Sequence, residues 1–362
     1  MRRFLKKTVV LATVAALAIT TLAGCGVKDS EIVAKVGEQK ITAGVANFFA
    51  RFQQSSIESY YGSYYGEDFW GQEYQEGETF EQNMKKSIMQ SLQEMYLLDA
   101  HKADYKIALT EEEEKAIQDA AAEFVKTNKE KDAKKVSGTK DVVAEVLRLF
   151  TVQSKMQEVM VKDVDRKVSD KEAAQKAMQY VFFAYSTTDE SGNSTPLSDS
   201  EKEVVKEQAD SFAVAAKKAK DFEKLAKDKG FKAEKATFDA ESTTPAAELV
   251  KAADKLKKGE TTSVVVTDAG CYVARLTSTL DREATDAKKE EIISQRESDA
   301  YQKLVEEWKK DLDIKTYDKV WDKISFEDLK VEAKVEETKE TEKTDNKEAT
   351  ESTETEKTET EK

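Results

Sequence analysis

The chain of 362 residues contains few of the residues on which many enzyme sites depend, with one histidine, two cysteines and two prolines. A single histidine excludes the usual catalytic dyads and triads, and no metal-ligand spacing, phosphate-binding loop or hydrolase motif is visible. We therefore expect no metal and no cofactor. His101, in the stretch LLDAHKADYK, is interpreted as a residue on a helix surface.

The first cysteine, Cys25, directly follows a predicted export signal at residues 1–24. The start MRRFLKK carries four positive charges, and residues 8–25 carry none and finish in Leu-Ala-Gly-Cys. A basic start, an apolar run and small residues are typical of a secretory signal, and the run is short for a membrane span. The ending resembles the lipobox of bacterial lipoproteins, which implies cleavage after residue 24 and a lipid on Cys25. The alternative is an uncleaved anchor with an incidental cysteine.

Export and lipidation by this route limit which disulfides and which partners the chain can have. With Cys25 acylated, only Cys271 remains, so no disulfide can form within one chain. Removal of residues 1–24 moves the net charge from -14 to -18, which argues against nucleic acid or an anionic membrane as the main partner. A basic, partly unfolded polypeptide suits this charge better.

The composition, 36% charged and 39% hydrophobic, is typical of a helical and highly soluble protein. Residues 331–362 are nearly all Glu, Thr and Lys without an aromatic residue, and they cannot bury enough apolar surface to fold, so we predict a disordered tail. A spacer through a cell wall is the alternative for this tail.

The chain between these ends predicts an α+β protein that is mostly helical. EIVAKVGEQKIT predicts a strand-turn-strand, and YVFFAYSTT, SVVV and CYVARL predict further strands. Helices are predicted from Ala43 and at 78–106, 110–131, 138–166, 199–229, 246–257 and 285–311, with a capping box from Thr110 to Glu113.

These segments resemble a known family in their order along the chain. EIVAKVGEQKIT is similar to the opening of the SurA and PrsA foldases. The middle of the chain, from YVFFAYSTT through DFEKLAKDKG to LKKGETTSVVVTDAGCYVARL, resembles a parvulin-type peptidyl-prolyl isomerase domain. Asp221, Phe222, Leu225 and Ala226 match its helix element, and Gly259, Glu260 and Ser263 lie close to its turn element.

The resemblance implies a SurA-like helical chaperone domain, built from an N-terminal segment and a C-terminal helix, with a small parvulin-like α+β domain inserted between them. The expected division is a signal peptide at 1–24, a client-binding domain at 25–171, the parvulin-like domain at 172–283, a C-terminal helical segment packing on the N-terminal domain at 284–330, and the tail at 331–362.

The site that the resemblance implies has lost both histidines of the family. Tyr180 and Tyr272 stand at the two histidine positions, and Phe182 and Leu249 are the implied peptide contacts in the domain. The glycine-rich loop of the family is absent between 231 and 245, and the aromatic position near the end of the next helix is Asp254. Cys271, next to Tyr272, is interpreted as a small buried apolar residue because no His or Asp constellation accompanies it.

A second candidate binding site is the stretch YYGSYYGEDFWGQEYQEGETF at 60–80. A loop rich in Tyr and Gly suits adaptable binding, and Tyr61, Tyr65 and Trp70 are its candidate peptide contacts. The alternative is that these rings pack on the protein's own helices.

The sequence therefore predicts a lipid-anchored, extracytoplasmic foldase or chaperone that acts on unfolded or partly folded secreted chains at the bacterial cell membrane. Its parvulin-like domain is expected to be weakly active or inactive. Two alternatives remain, an active isomerase that uses Tyr180 and Tyr272, and a solute-binding lipoprotein of a transporter. The latter predicts two α/β lobes, whereas residues 80–170 predict mainly helix.

Overall fold

The computed structural model describes residues 16–21, 27–66, 68–189 and 191–334. The fold is α+β, and about half of the described residues are helical. The chain divides into two compact units, which are unit 1 (Met1–Met156 and Lys309–Lys362) and unit 2 (Gln157–Trp308). The predicted bounds at 171, 283 and 330 stay predictions. Cys25 lies outside the described residues.

The helices of the described residues lie close to the predicted ones. They are α1 (Ala43–Tyr65), α2 (Phe80–His101), α3 (Glu111–Thr127), α4 (Glu130–Lys135), α5 (Lys140–Met160), α6 (Asp199–Lys218), α7 (Phe222–Asp228), α8 (Ala247–Ala253), α9 (Arg282–Asp311) and α10 (Asp318–Trp321). None of them combines the length and the apolar character that a membrane crossing requires.

The described strands are shorter than most of the helices. They are β1 (Ala16–Thr21), β2 (Ile32–Val36), β3 (Gln39–Thr42), β4 (Glu73–Gln75), β5 (Glu78–Thr79), β6 (Lys176–Ala184), β7 (Ser186–Thr188), β8 (Ser194–Pro196), β9 (Glu234–Phe238), β10 (Val265–Thr267), β11 (Gly270–Ser278), β12 (Ile314–Thr316) and β13 (Leu329–Lys334).

The two ends of the chain meet in the sheet of unit 1. The predicted strand-turn-strand forms as β2 and β3, and β12 from the C-terminal part pairs with β2 to complete a three-stranded sheet in the order β12-β2-β3. Thr42 then begins α1, because its side chain accepts a hydrogen bond from the Val45 amide. The capping box from Thr110 to Glu113 is present at the start of α3.

A row of polar side chains on α1 holds the C-terminal segment of unit 1. Arg51 donates to the Oε1 atom of Gln54 at 2.7 Å, and both side chains are buried. Gln54 donates in turn to the backbone oxygens of Phe326 at 3.0 Å and Leu329 at 2.6 Å. Residues three apart on a helix lie on the same face, so one face of α1 fixes the start of β13.

Strand β13 pairs with β1 in a separate two-stranded sheet. β1 lies within the segment that the sequence predicts to be the signal peptide. Residues 331–334 of the predicted tail belong to β13, and 335–362 lie outside the described residues. The start of the tail is thus an ordered strand in this structure.

Unit 2 is built on a four-stranded antiparallel sheet in the order β10-β11-β6-β9. Alternate residues of β6 and β11 point to opposite faces. Val181, Phe183, Cys271 and Val273 pack with Phe212 of α6 and Phe222 of α7 on the helical face. Tyr180 and Tyr272 lie on the other face, which we call the tyrosine face, with Leu249 of α8 and Phe238 of β9.

The predicted helix at 199–229 is interrupted at 219–221 and forms α6 and α7 instead. Asp221 begins α7 by accepting a hydrogen bond from the Lys224 amide at 2.9 Å. The guanidinium of Arg275 from β11 donates to the backbone oxygen of Ala216 near the end of α6 and lies over the Phe222 ring, 5.5 Å from its centroid. The break places both helices against the sheet.

Candidate functional site

The tyrosine face brings together the two positions at which the resemblance implies histidines. Tyr272 is the cross-strand neighbour of Phe182, and Tyr180 is that of Ala274. The rings of Phe182 and Tyr272 are stacked with centroids 4.5 Å apart, and those of Tyr180 and Tyr272 are 5.9 Å apart. The three side chains form one aromatic surface.

Glu234 of β9 completes this surface and was not predicted from the sequence. The register of β6 and β9 places it directly opposite Tyr180, whose hydroxyl donates to its Oε2 atom at 2.7 Å. This hydrogen bond, together with one from Lys232, lowers the pKa of Glu234 below its usual value. Burial and the same hydrogen bond raise the pKa of Tyr180 to about 12. At neutral pH the pair is therefore a phenol bound to a carboxylate.

Tyr180 and Tyr272 differ in how their hydroxyl groups are used. Both rings are buried, at 8% and 7% exposure. Burial raises the pKa of Tyr272, with Glu234 and Glu248 adding to the effect. The hydroxyl of Tyr180 is held by Glu234, whereas within the described residues the hydroxyl of Tyr272 makes no hydrogen bond to the protein. Tyr272 is thus the tyrosine that can donate to a bound peptide.

The two predicted peptide contacts of this domain differ in accessibility. Phe182 is 38% exposed and can meet a ligand. Leu249 is fully buried in the core below the tyrosine face. Its prediction as a direct contact is corrected by the structure, because a side chain without exposed surface supports the site from beneath.

The segment at 231–245 forms an edge strand in place of the glycine-rich loop that the family carries. β9 occupies 234–238 and pairs with β6. Asp254 follows α8 and forms an ion pair with Lys176, with Oδ1 and Nζ 2.8 Å apart. A charged pair therefore stands where the resemblance implies an aromatic wall.

Cys271 lies in the core, as the sequence predicts. It is fully buried on the helical face, where its Sγ atom lies 3.1 Å from the hydroxyl of Tyr185. The contact with the thiol, together with burial, raises the pKa of Tyr185 to about 12. His101 ends α2 in unit 1, and its Nδ1 atom lies 2.9 Å from Asp104.

The aromatic stretch at 60–80 is only partly the loop that the sequence predicts. Residues 60–65 form the last turns of α1, where Tyr60 and Tyr64 are well exposed, Tyr65 is 51% exposed and Tyr61 is half-buried. The two glycines at 62 and 66 do not open this part of the chain into a loop, because α1 ends only at Tyr65. Tyr61 and Tyr65 stay predicted contacts.

Trp70 belongs to the core, which corrects its prediction as an exposed contact. It is 3% exposed, and its ring lies 4.4 Å from Phe69 and 4.8 Å from Phe326. Its indole nitrogen donates to the Oε1 atom of Glu58 at 3.0 Å. Because a large aromatic ring buries much apolar area, Trp70 contributes to the core and not to an exposed binding surface.

Among the described residues, no group of three or more His, Cys, Asp or Glu side chains is placed to hold a metal ion. The side chains of the tyrosine face offer apolar contact, hydrogen bonding and the charge of Glu234.

Comparison with known proteins shows which domains and proteins this chain is similar to. The PPIC-type PPIASE domain family matches residues 187–294. The foldase protein PrsA of Clostridium botulinum strain Hall is 29% identical over 310 residues, which cover 81% of this chain and 90% of that protein.

Solved structures of similar proteins come from other bacteria. The foldase protein PrsA of Streptococcus pneumoniae is 20% identical, with a TM-score of 0.29 and coverage of 70% of this chain and 98% of that one. The PrsA structure of Bacillus subtilis is 19% identical, with a TM-score of 0.23 and coverage of 81% and 96%. The domain match at residues 187–294 and the similarity to the PrsA protein support a PrsA/SurA-like foldase with a parvulin-type domain.

Proposed function

We propose that the chain is an extracytoplasmic foldase, anchored by a lipid on Cys25, that holds non-native secreted chains while its parvulin-type domain isomerises prolines weakly or not at all. The likeness to PrsA over 90% of that protein's length supports the foldase role. The observation that carries the proposal on catalysis is the hydrogen bond between Tyr180 and Glu234, because it commits one of the two site hydroxyls to the protein itself.

Proline isomerisation needs a dry slot for the ring and groups that stabilise the twisted amide, against a spontaneous barrier of about 18–20 kcal/mol. The tyrosine face supplies the exposed part of Phe182 and the hydroxyl of Tyr272. It lacks imidazole, and the ion pair of Lys176 and Asp254 stands where an aromatic wall is implied. Each missing contact weakens catalysis, and about 1.4 kcal/mol already changes the rate tenfold.

An active isomerase is the second candidate, and one observation favours it. The hydroxyl of Tyr272 has no partner within the described part of the protein, so it can donate to a peptide carbonyl. The solute-binding alternative has no such support. It requires α/β lobes with parallel strands, whereas the described strand pairs are antiparallel.

The two candidates are separated by the isomerisation rate of a proline tetrapeptide. We expect the wild-type chain to leave the rate close to the uncatalysed one, and Tyr272→Phe to change it little. Tyr74→Phe in unit 1 is the matched control, because it removes an exposed phenol away from the tyrosine face. A clearly catalysed wild-type rate that falls tenfold or more in Tyr272→Phe, and not in the control, would support the active isomerase as the function.

The holding activity is tested by the aggregation of an unfolded secreted protein. The chain should delay aggregation, and the double variant Tyr61→Ala, Tyr65→Ala should delay it less, because these rings offer apolar area at the end of α1. Val204→Ala, Val214→Ala is the control, since both side chains are exposed apolar residues of α6. Equal effects of both double variants would show that Tyr61 and Tyr65 have no specific role in client binding.

A further inference from the structure

Strand β13 is held on both of its edges. On one side, the Gln54 side chain donates to the Leu329 oxygen at 2.6 Å, and the Val331 amide donates to the Oε2 atom of Glu58 at 3.2 Å. On the other side, β13 pairs with six residues of β1, from Ala16 opposite Lys334 to Thr21 opposite Leu329. Because alternate residues of a strand direct their amides to opposite edges, residues 330, 332 and 334 face β1.

The strand that fills this second edge belongs to the segment that is predicted to be removed. Cleavage before Cys25 takes away β1 together with the rest of residues 1–24. Within the described residues, β13 has no other strand partner. An unpaired edge of this kind is a template for another extended chain.

Strand β13 also has contacts that do not involve β1. With β1 in place, Leu329 and Val331 are buried at 4% and 0% exposure. Gln54 is fully buried and also binds the Phe326 oxygen, three residues before Leu329. An edge fixed by side chains of α1 in this way is already in the conformation that binds a strand, which lowers the entropic cost of binding.

A cavity beside the start of β13 adds a preference for charge. It has a volume of about 290 Å³ and is lined by Glu58, Asp68, Trp70, Phe326, Glu327 and Lys330. Three carboxylates and one ammonium group make this cavity acidic, and apolar rings form part of its wall. It suits the aliphatic stem and the charge of a lysine or arginine.

We propose that signal-peptide removal exposes the β13 edge as a docking site for an extended, uncharged segment of a non-native client chain, followed by a lysine or arginine that enters the acidic cavity. β1 itself, with the sequence ALAITT, shows the kind of segment that fits. It runs antiparallel to β13, so the end of the client segment lies next to Leu329 and Lys330. This inference rests on the proposed foldase function.

The probe is a fluorescent synthetic peptide, Ala-Leu-Ala-Ile-Thr-Thr followed by two lysines, and its binding is measured by anisotropy. We expect the chain that begins at Cys25 to bind it at least tenfold more tightly than the full chain of 362 residues, in which β1 occupies the edge. Equal binding by the two forms would overturn the inference.

Two isomeric peptides test the backbone register without any change to the protein. Methylation of the two amide nitrogens that correspond to Ala18 and Thr20, which face residues 332 and 330, should weaken binding tenfold or more. Methylation at the positions of Leu17 and Ile19, whose amides point away from β13, should weaken it far less. The same loss for both isomers would exclude strand pairing at this edge.

The acidic cavity is tested with Asp68→Asn, Glu327→Gln. This variant should bind the lysine-tailed peptide more weakly and a serine-tailed peptide as before. Asp268→Asn, Glu283→Gln removes the same charge elsewhere and should change neither. Equal losses in both variants would show a general charge effect and overturn the cavity's role.

Failure of the docking site and failure of the proposed function give different results. A chain that delays aggregation of an unfolded protein but does not bind the peptide keeps its foldase role and loses the docking site. A chain that does neither loses both.

Discussion

The hydroxyl of Tyr180 and the carboxylate of Glu234 form a hydrogen bond of 2.7 Å across neighbouring strands, although the two residues are 54 positions apart in the chain. This contact decides how the tyrosine face is charged. It favours the ionised form of Glu234 and commits the Tyr180 proton to that carboxylate.

Tyr180→Phe should raise the pKa of Glu234 toward its usual value near 4.5, because the charged carboxylate loses a donor. The folded-state pKa is lowered in the wild type, so this contact stabilises the fold above the usual pKa and is lost as the pH falls through the lowered value. The difference in melting temperature between wild type and variant should therefore shrink below pH 4.5. Carboxyl-carbon NMR measures the pKa directly. An unchanged value in the variant would show that the hydrogen bond is absent in solution.

Cys271 should resist iodoacetamide in the folded protein and react once the protein is unfolded, because a fully buried thiol is inaccessible to the reagent. Mass spectrometry of the peptide that contains Cys271 reports its modification separately from Cys25. Rapid labelling in the native state would contradict the packing of β11 against α6 and α7.

Trp70→Ala should lower the free energy of unfolding by about 3–5 kcal/mol, since it removes a buried ring that contacts Phe69 and Phe326. Tyr64→Ala is the matched control, because this ring is 75% exposed, and it should cost no more than about 0.5 kcal/mol. Chemical denaturation measures both. If Trp70→Ala lowers the free energy of unfolding only slightly, Trp70 is not a core residue and becomes a candidate peptide contact again.

Cys25→Ala should abolish both acylation and cleavage after residue 24. Metabolic labelling with a fatty acid should mark the wild type and leave the variant blank, and Cys271→Ala serves as the control that keeps the label. Equal label in wild type and Cys25→Ala would show that the lipobox interpretation is wrong.

Local signals in the sequence predict most of the helices and the order of the main strands. The capping box at Thr110 and the alternating residues of EIVAKVGEQKIT act over a few positions, so they can be read without knowledge of the fold. The same is true of Cys271, because a small residue inside an apolar strand without polar partners is typical of a core.

Features that depend on distant contacts were missed. β9 has little apolar alternation of its own, and it forms because β6 offers an edge to it. Glu234 becomes a site residue only through that register. The break between α6 and α7 lies in continuous helical sequence, and Trp70 could not be told from an exposed ring until Phe326 was known to meet it.

The alternation of β6 and β11 has a consequence for how such a domain can change over evolutionary time. Its helical face, with Val181, Phe183 and Val273, stabilises the fold, while the residues between them form the opposite face. A substitution at Tyr180 or Tyr272 changes the tyrosine face and its own core cluster, whereas the residues that pack against α6 and α7 stay the same. Side chains of the tyrosine face can therefore change over time while the packing of the helical face is kept.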